Sequence, residues 1–392
     1  MTPLRFSDGF IDDSIDGSTN GSTLRLLFLS TPVAPLGSGL GGGVELTLYT
    51  LAKEMTRRGH RVQIVAPQGS HLPEAGDPTP MAIAQISGKL QTSAQTQHYT
   101  DPIILPPESV LGNMWDYARQ VQDDFDLLVN FAYDWLPLYL TPFFQRPVAH
   151  LISMGSLSAA MDAAIQQVAR TRPGALAAHS HAQAQTFPDA SAFRILGNGL
   201  DLSRYEFCAE PENRLGWVGR LAPEKGLEDA IALAEQTQIP LSVWGAMPDS
   251  AYWEQIQQRY PDAPVEYRGF LSTEQLQQEL GRCRALIMTP KWVEAFGNVA
   301  VEALACGVPV IAYRRGGPSE IVTDGETGWL VEPDQVAELA TAVGRLEQID
   351  RLACRRRAEA HYSMQAMGDR TEQWFHDLLQ RPAPSAIGQT SG

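Results

Sequence analysis

The chain has 392 residues, 44% hydrophobic and 19% charged, and its 45 acidic against 30 basic side chains give a net charge of −15. That length suits about two or three domains of ~100–200 residues, and the composition is that of a globular protein with enough apolar residues for two cores. The acidity argues against nucleic acid and anionic membranes as partners, and there is no uninterrupted apolar run of about 18 residues to cross a bilayer.

Residues 1–22 are acidic and rich in Gly, Ser and Thr, so they read as a disordered extension without the apolar core of a signal peptide. Leu24 to Leu29 is the first buried strand, and five glycines follow between Gly37 and Gly43. A helix over 44–58 and a strand over 61–66 complete a strand, Gly-rich turn, helix, strand unit, which opens a doubly wound α/β domain. The glycine spacing is not G-x-G-x-x-G and no acidic residue follows the second strand, so the turn does not indicate NAD. Residues 67–110 hold at most short strands, at 81–86 and 97–99. A helix over 113–121 and a strand over 127–131 come next. Ala132 to Pro137 reads as a loop at that strand's end, with Tyr133 and Asp134 placed where open sheets bind ligands. The strand over 147–152 ends at Ser153, and His150 points to the opposite face by strand alternation. Short strands at 175–179 and 193–196 close this half.

The second half opens with a strand over 214–218, then Gly219-Arg220 and Lys225-Gly226 before a helix over 227–236. Two cations at a strand end and a helix start suit a diphosphate. Strands at 241–244 and 265–267, a helix over 273–283 capped by Ser272, and a strand at 285–288 lead to P-K-W-V-E-A-F-G-N-V-A-V-E-A-L-A-C-G-V-P-V, residues 290–310. Asn298 to Cys306 are helix formers closed by Gly307, and 308–313 is an apolar, β-branched strand. Glu294 and Phe296-Gly297 therefore sit before a helix whose free N–H groups and dipole favour an anion or a polar sugar. Glu302 lies about two turns beyond Glu294. Carboxylates accept hydrogen bonds from vicinal diols, so Glu302 would take ribose hydroxyls and Glu294 those of a transferred sugar. One final helix is expected over 351–379, with a disordered tail beyond. The four cysteines lie far apart with no metal-type spacing and read as reduced, buried thiols of a cytoplasmic protein. Asp124-Phe125-Asp126 reads as a helix-end acidic cluster and not a metal site.

The segment E-A-F-G-N-V-A-V-E resembles the E-x7-E signature of retaining nucleotide-sugar glycosyltransferases of family 4, which have the GT-B fold of two Rossmann-like doubly wound domains facing across a cleft, with a C-terminal helix crossing back to the first domain. The resemblance implies an acceptor-binding domain at 23–196, a nucleotide-sugar-binding domain at 197–360, the returning helix at 361–380 and a tail at 381–392. Asn198-Gly199-Leu200-Asp201 resembles the family's N-G-V-D turn at the crossover, and Gly219 to Gly226 its G-R-x4-K-G motif. It assigns Arg220, Lys225 and Glu294 to catalysis. It assigns Gly42, Gly43, Gly219, Phe270, Phe296, Gly297, Asn298 and Glu302 to the donor, the loop at Phe270 bracketing the base. Glu45, Tyr133, Asp134 and Ser153 are the acceptor candidates. Where many relatives carry a histidine near the end of strand 147–152, this chain has Ser153, which leaves His150 as a core histidine or one that supports a neighbouring site residue. Met247 replaces the second glycine of the usual G-x-G. No metal or cofactor is implied. The segments S-T-P-V-A-P-L-G-S-G-L-G-G-G-V-E, N-M-W-D-Y-A-R-Q and N-F-A-Y-D-W-L-P are similar to cyanobacterial UDP-glucose:tetrahydrobiopterin glucosyltransferases. That similarity implies UDP-glucose as donor and a small hydroxylated acceptor, a pterin. The alternatives are a hexosyltransferase for polysaccharide or glycolipid synthesis, and a non-catalytic sugar-nucleotide-binding subunit. The oligomeric state is left open.

Overall fold

The computed structural model describes residues 23–40, 42–72, 81–92 and 99–381. The expected extension at 1–22, Gly41, the first two residues of the strand expected at 97–99, and the tail beyond 381 lie outside them. The chain forms two compact units. The first comprises the described residues of Met1–Ala177, Ser191–Arg194 and Gly368–Gly392; the second comprises Ala178–Ala190 and Ile195–Met367.

In chain order the first sheet's elements are β1 (Arg25–Leu29), α1 (Gly43–Arg57), β2 (Arg61–Pro67), β3 (Ala82–Ile86), α2 (Val110–Val121), β4 (Leu127–Asn130), α3 (Trp135–Leu140), β5 (Val148–Ile152), α4 (Ala159–Thr171), β6 (Leu176–Ala178), the short α5 (His181–Ala184) and β7 (Phe193–Ile195). The strand order is β3-β2-β1-β4-β5-β6-β7, and the pairs of β1 with β2 and β4, β2 with β3, and β4 with β5 run parallel. β4 and β5 are buried along their whole length, as strands covered by helices on both faces must be.

Three helices here were not expected: α3, α4 and the short α5. α3 occupies part of the stretch read as a loop. Asp134 caps it, its carboxylate accepting from the Leu136 N–H at 3.0 Å. Pro137 sits in the first turn, where its missing N–H breaks no helical bond.

His150 is a core residue, as its strand position implies. Its Nδ1 accepts from the Asn130 amide (3.2 Å) and its Nε2 donates to Thr141 Oγ1 (2.8 Å), which in turn donates to the Pro137 carbonyl. Burial pushes its pKa down to about 3, so the ring stays neutral. Asp126 of the D-x-D stretch pairs with Arg25, Oδ1 at 2.7 Å from Nη2.

The second sheet's elements are β8 (Leu215–Val218), α6 (Leu227–Thr237), β9 (Leu241–Trp244), α7 (Ser250–Arg259), β10 (Val265–Tyr267), α8 (Thr273–Gly281), β11 (Ala285–Met288), α9 (Asn298–Ala305), β12 (Val310–Tyr313), α10 (Pro318–Ile321), β13 (Gly328–Val331), α11 (Val336–Val343), α12 (Arg351–Tyr362) and α13 (Met364–Leu379). The order is β10-β9-β8-β11-β12-β13, every pair parallel. Ser272 caps α8 in a reciprocal capping box with Gln275.

The final helix is not continuous. At Ser363 the backbone turns extended, and the chain at Leu200 pairs there like a strand: Leu200 N donates to Tyr362 O and Met364 N to Leu200 O, each at 2.9 Å. The N-G-L-D turn takes bonds that an unbroken helix would have made internally.

From Gly368 onward α13 belongs to the first unit. Arg58 bonds Asp369, Glu372 and the fully buried Glu54, each at 2.7 Å, His60 Nε2 lies 3.0 Å from Glu372, and Trp374 donates to the Gly174 carbonyl at 2.7 Å. Glu372→Ala removes a partner from both Arg58 and His60; it is expected to cost about 1.5–3 kcal/mol, read as a lowered denaturant midpoint with unchanged far-UV circular dichroism.

Cys283, Cys306 and Cys354 are buried free thiols pushed up to about 12 by burial; Cys208 is half-exposed, contrary to expectation. No helix among the described residues is long and apolar enough to cross a membrane.

Candidate functional site

In the second unit the loops at the C-terminal ends of the strands are strung side by side. Gly219 N donates to Trp244 O (3.0 Å) and Gly245 N to Gly269 O (2.9 Å). A Cβ on Gly245 would stand 1.8 Å from the Gly219 carbonyl oxygen, so the backbones touch with no room for a side chain. Phe270 follows on the β10 loop with 72% of its surface exposed.

The Gly219–Gly226 loop docks on the end of β11. Gly226, at φ 66°, caps α6, and a Cβ there would lie 2.0 Å from the Thr289 carbonyl oxygen; Thr289 Oγ1 donates back to Gly226 O at 2.7 Å. Lys291 N donates to Glu224 O at 2.8 Å. These bonds bring the two sequence motifs together. The Lys225 ammonium pairs with the Glu294 carboxylate and lies 5.0 Å from the Trp292 ring centre. The Trp292 indole N–H donates to the same Glu294 oxygen at 3.2 Å. Arg220 pairs instead with Glu224 on its own loop. Lys291 bridges Asp229 and Asp334 and so pins the far side of the loop.

The Glu294–Gly297 segment runs against the turn after β12. Gly317 N donates to Glu294 O at 2.7 Å, and a Cβ on Gly317 would be 2.3 Å from Phe296 O. Gly297, left-handed at φ 100°, then opens α9. Asn298 Oδ1 accepts from the Asn198 side chain at 2.8 Å, tying the N-G-L-D turn to the helix start. Glu302 is half-buried on α9 and accepts from the Tyr205 hydroxyl at 3.4 Å. Burial raises its pKa to about 7, and the Tyr205 bond opposes the rise only in part.

Two contributors had no signal in the sequence. Ser180 Oγ donates to the Ala295 carbonyl at 2.6 Å, and the His179 ring stands 6.0 Å from Phe296. Glu320 accepts from the His181 and Ala182 N–H groups at 3.0 and 2.6 Å. The 178–190 segment thus belongs to the second unit because it is stitched to the loop carrying Glu294. Trp292 is the other: a tryptophan in a loop spells nothing until its indole is seen against both Lys225 and Glu294.

In the first unit Gly42, at φ 65°, caps α1 and Gly43 begins it. Glu45 folds back, its carboxylate accepting from the Gly37 N–H and from the Gly39 N–H at 3.4 Å. Tyr133 is buried; its hydroxyl donates to Gly155 O (3.0 Å) and accepts from Leu157 N (3.2 Å), which fixes the loop after β5. Asp134 is bound to its helix cap, with its pKa raised by burial. The Ser153 hydroxyl is buried without a hydrogen-bond partner.

Two family models match the chain: Glycosyltransferase Family 4 over residues 41–204 and Glycosyl transferases group 1 over residues 204–363. Among similar proteins, glycogen synthase of Mycobacterium tuberculosis is 33% identical over 186 residues, 44% of either chain. The GDP-mannose-dependent alpha-(1-6)-phosphatidylinositol monomannoside mannosyltransferase of Mycolicibacterium smegmatis is 33% identical over 223 residues, 50% of this chain and 55% of that one. The chain therefore spans about half the length of the relatives it matches. Among solved structures, Anabaena HepE in complex with UDP superposes with a TM-score of 0.72 at 20% identity, covering 90% of this chain and 100% of that one. Sucrose-phosphate synthase from Thermosynechococcus elongatus gives 0.71 at 18% identity, covering 91% and 99%. With the two models spanning residues 41–363 between them and this fold shared over most of its length, the chain belongs to the GT-B glycosyltransferases of group 1 and family 4.

Proposed function

We propose that the protein is a retaining hexosyltransferase that moves glucose from UDP-glucose to a hydroxyl of a small acceptor, and that tetrahydrobiopterin is that acceptor. The observation that carries the reading is the Lys225–Glu294 pair, held by Trp292 just before the left-handed Gly297 at the start of α9. A cation from the Gly219–Gly226 loop, and a carboxylate and a helix start from the loop after β11, match the three parts of a sugar diphosphate.

In this scheme Lys225 and Arg220 hold the diphosphate oxygens, Glu294 accepts from the hexose hydroxyls, and Glu302 accepts from the ribose diol. The bond from C1 to the phosphate oxygen breaks while the acceptor oxygen bonds C1 on the same face. The acceptor's proton passes to the departing phosphate oxygen. Catalysis is positioning plus stabilisation of the leaving charge, and the scheme needs no metal or cofactor. Each cation is paired with a carboxylate, which holds it in place; the diphosphate must compete for it.

Trp292→Phe keeps the ring under Lys225 but removes the N–H on Glu294. Its expected effect is a fall in kcat of about threefold to tenfold, measured by UDP release, on the scale of one lost hydrogen bond.

The deciding experiment mixes protein, UDP-glucose and tetrahydrobiopterin. Release of UDP with formation of a glucoside carrying the α-linkage of the donor supports the proposal; no UDP above the acceptor-free blank ends the acceptor assignment. A second reading, hexosyl transfer to a polysaccharide or glycolipid, is favoured by the names of the relatives, a glycogen synthase and a phosphatidylinositol monomannoside mannosyltransferase. Transfer from UDP-glucose or GDP-mannose to glucan or glycolipid acceptors, run in parallel, separates the two.

A further inference from the structure

At the carboxyl end of β5 in the first unit, three side-chain oxygens within ten residues are buried and lack any hydrogen-bond partner: Ser153 Oγ, Ser158 Oγ and Asp162 Oδ1. Such atoms are rare in folded proteins, and a cluster of them calls for an explanation. Ser158 and Asp162 are only 2% and 7% exposed. Ser158 occupies the cap position of α4, where a serine ordinarily accepts from the helix backbone, yet it makes no such bond. Asp162 is held on one side only: its Oδ2 accepts from the Tyr99 hydroxyl at 3.0 Å and from Ser156 Oγ at 2.8 Å. The Tyr99 carbonyl accepts the first N–H of α4, from Ala159, at 3.0 Å, so Tyr99 is fixed against this helix start at both ends. Tyr133, through Gly155 and Leu157, fixes the loop between Ser153 and Ser158. These bonds tie Tyr99, the loop before Ser158 and the start of α4 together, and the three unpartnered oxygens belong to the same stretch. Strand ends of open α/β sheets are where such folds take their ligands.

We propose that Asp162 is an acceptor-recognition residue: its unused carboxylate oxygen, together with the Ser153 and Ser158 hydroxyls, binds the hydrogen-bond-donating edge of the molecule that receives the sugar. The inference rests on the transferase reading and adds the chemistry of the acceptor. A carboxylate only accepts, so the group opposite it must carry an N–H or O–H. A phosphorylated or acidic acceptor would bring a second anion against Asp162 and is disfavoured. The class that fits is a neutral or cationic molecule with an amino or hydroxyl edge, such as the 2-amino edge of a pterin.

The test compares tetrahydrobiopterin with the corresponding lumazine, in which an oxo group replaces the 2-amino group, by calorimetry on the full chain with UDP present. Asp162→Asn is expected to weaken binding of the amino compound about 10–100-fold and to shift preference toward the oxo compound, because an amide can donate where a carboxylate cannot. Ser158→Ala, which breaks no bond seen in the structure, is expected to weaken binding severalfold with the melting temperature unchanged. Equal affinities in wild type and Asp162→Asn, or no binding of either compound to wild type, overturn the inference; in those cases the valences are filled by water. UDP release from UDP-glucose in parallel samples, with and without a panel of hydroxylated acceptors, reports on the transferase reading separately. Turnover without pterin binding sinks only the role of Asp162, and absence of turnover sinks the transferase reading while the calorimetry still decides Asp162.

Discussion

Lys225→Ala is expected to lower turnover of UDP-glucose about 10²–10³-fold, the usual cost of losing one preorganised group at a centre of developing charge. Lys225 is the cation of the second unit that both sequence motifs converge on: it comes from the Gly219–Gly226 loop and meets Glu294 from the loop after β11. Its side chain is 24% exposed, shielded enough for the charge to act with little screening yet open to a ligand. The bonds that shape its loop are made by backbone, from Lys225 N to Ala222 O and from Lys291 N to Glu224 O, and by the Thr289–Gly226 pair. The substitution leaves all of these intact, so the loss should fall on kcat while the circular dichroism and thermal midpoint stay near wild type. Steady-state UDP release gives the numbers. A Lys225→Ala enzyme that turns over within threefold of wild type would remove this residue from the chemistry, and the leaving-group charge would have to be carried by Arg220 alone.

Glu302→Gln should separate stability from binding. Burial raises the Glu302 pKa from the ordinary 4.5 to about 7, so the fold favours the protonated acid. A raised pKa contributes stability that is complete below the unfolded value and is lost as pH rises through the folded one. Wild type therefore gives up stability between about pH 4.5 and 7, and the neutral amide does not. The variant's melting temperature should exceed that of wild type at pH 8, with the two curves converging near pH 4. Binding runs the other way. Only the ionised carboxylate can accept from both hydroxyls of a ribose diol, so wild-type affinity for UDP should rise as pH passes 7. The variant should bind about 10–100-fold more weakly at pH 8, with little pH dependence. This is the usual conflict between a comfortable core and a working site. A variant that melts lower than wild type at pH 8, or binds UDP equally well, contradicts the assignment.

The parallel architecture was legible because its signals are local. Strands over Leu241–Trp244, Val265–Tyr267 and Ala285–Met288 lie where the apolar runs predict them, and α9 begins at Asn298 as its preceding glycine implies. Caps, buried runs and glycines act over a few residues, and so does their imprint on the sequence. Where a local signal was misread, a second local effect explains it: Pro137 looks like a loop marker, yet with Asp134 as cap it falls in the one turn of a helix that tolerates proline.

What tertiary structure decided has no such imprint. The sequence by itself determined two α/β halves, the helix start that carries Glu294 and Glu302, and the identity of the cations that could answer them. The structure decided which cation does: Lys225 meets Glu294 across 69 positions of chain, while Arg220 turns to Glu224 four residues away. It broke the last helix at Ser363 because Leu200 takes its hydrogen bonds, anchored Ala295 to Ser180 from 115 residues off, and left an oxygen of Asp162 without a partner. Pairings of this kind depend on which loops the sheet order carries to the same strand end. A chain read one window at a time does not contain that information, because contact between distant residues follows from the packing of the whole layer and not from the residue types that meet there.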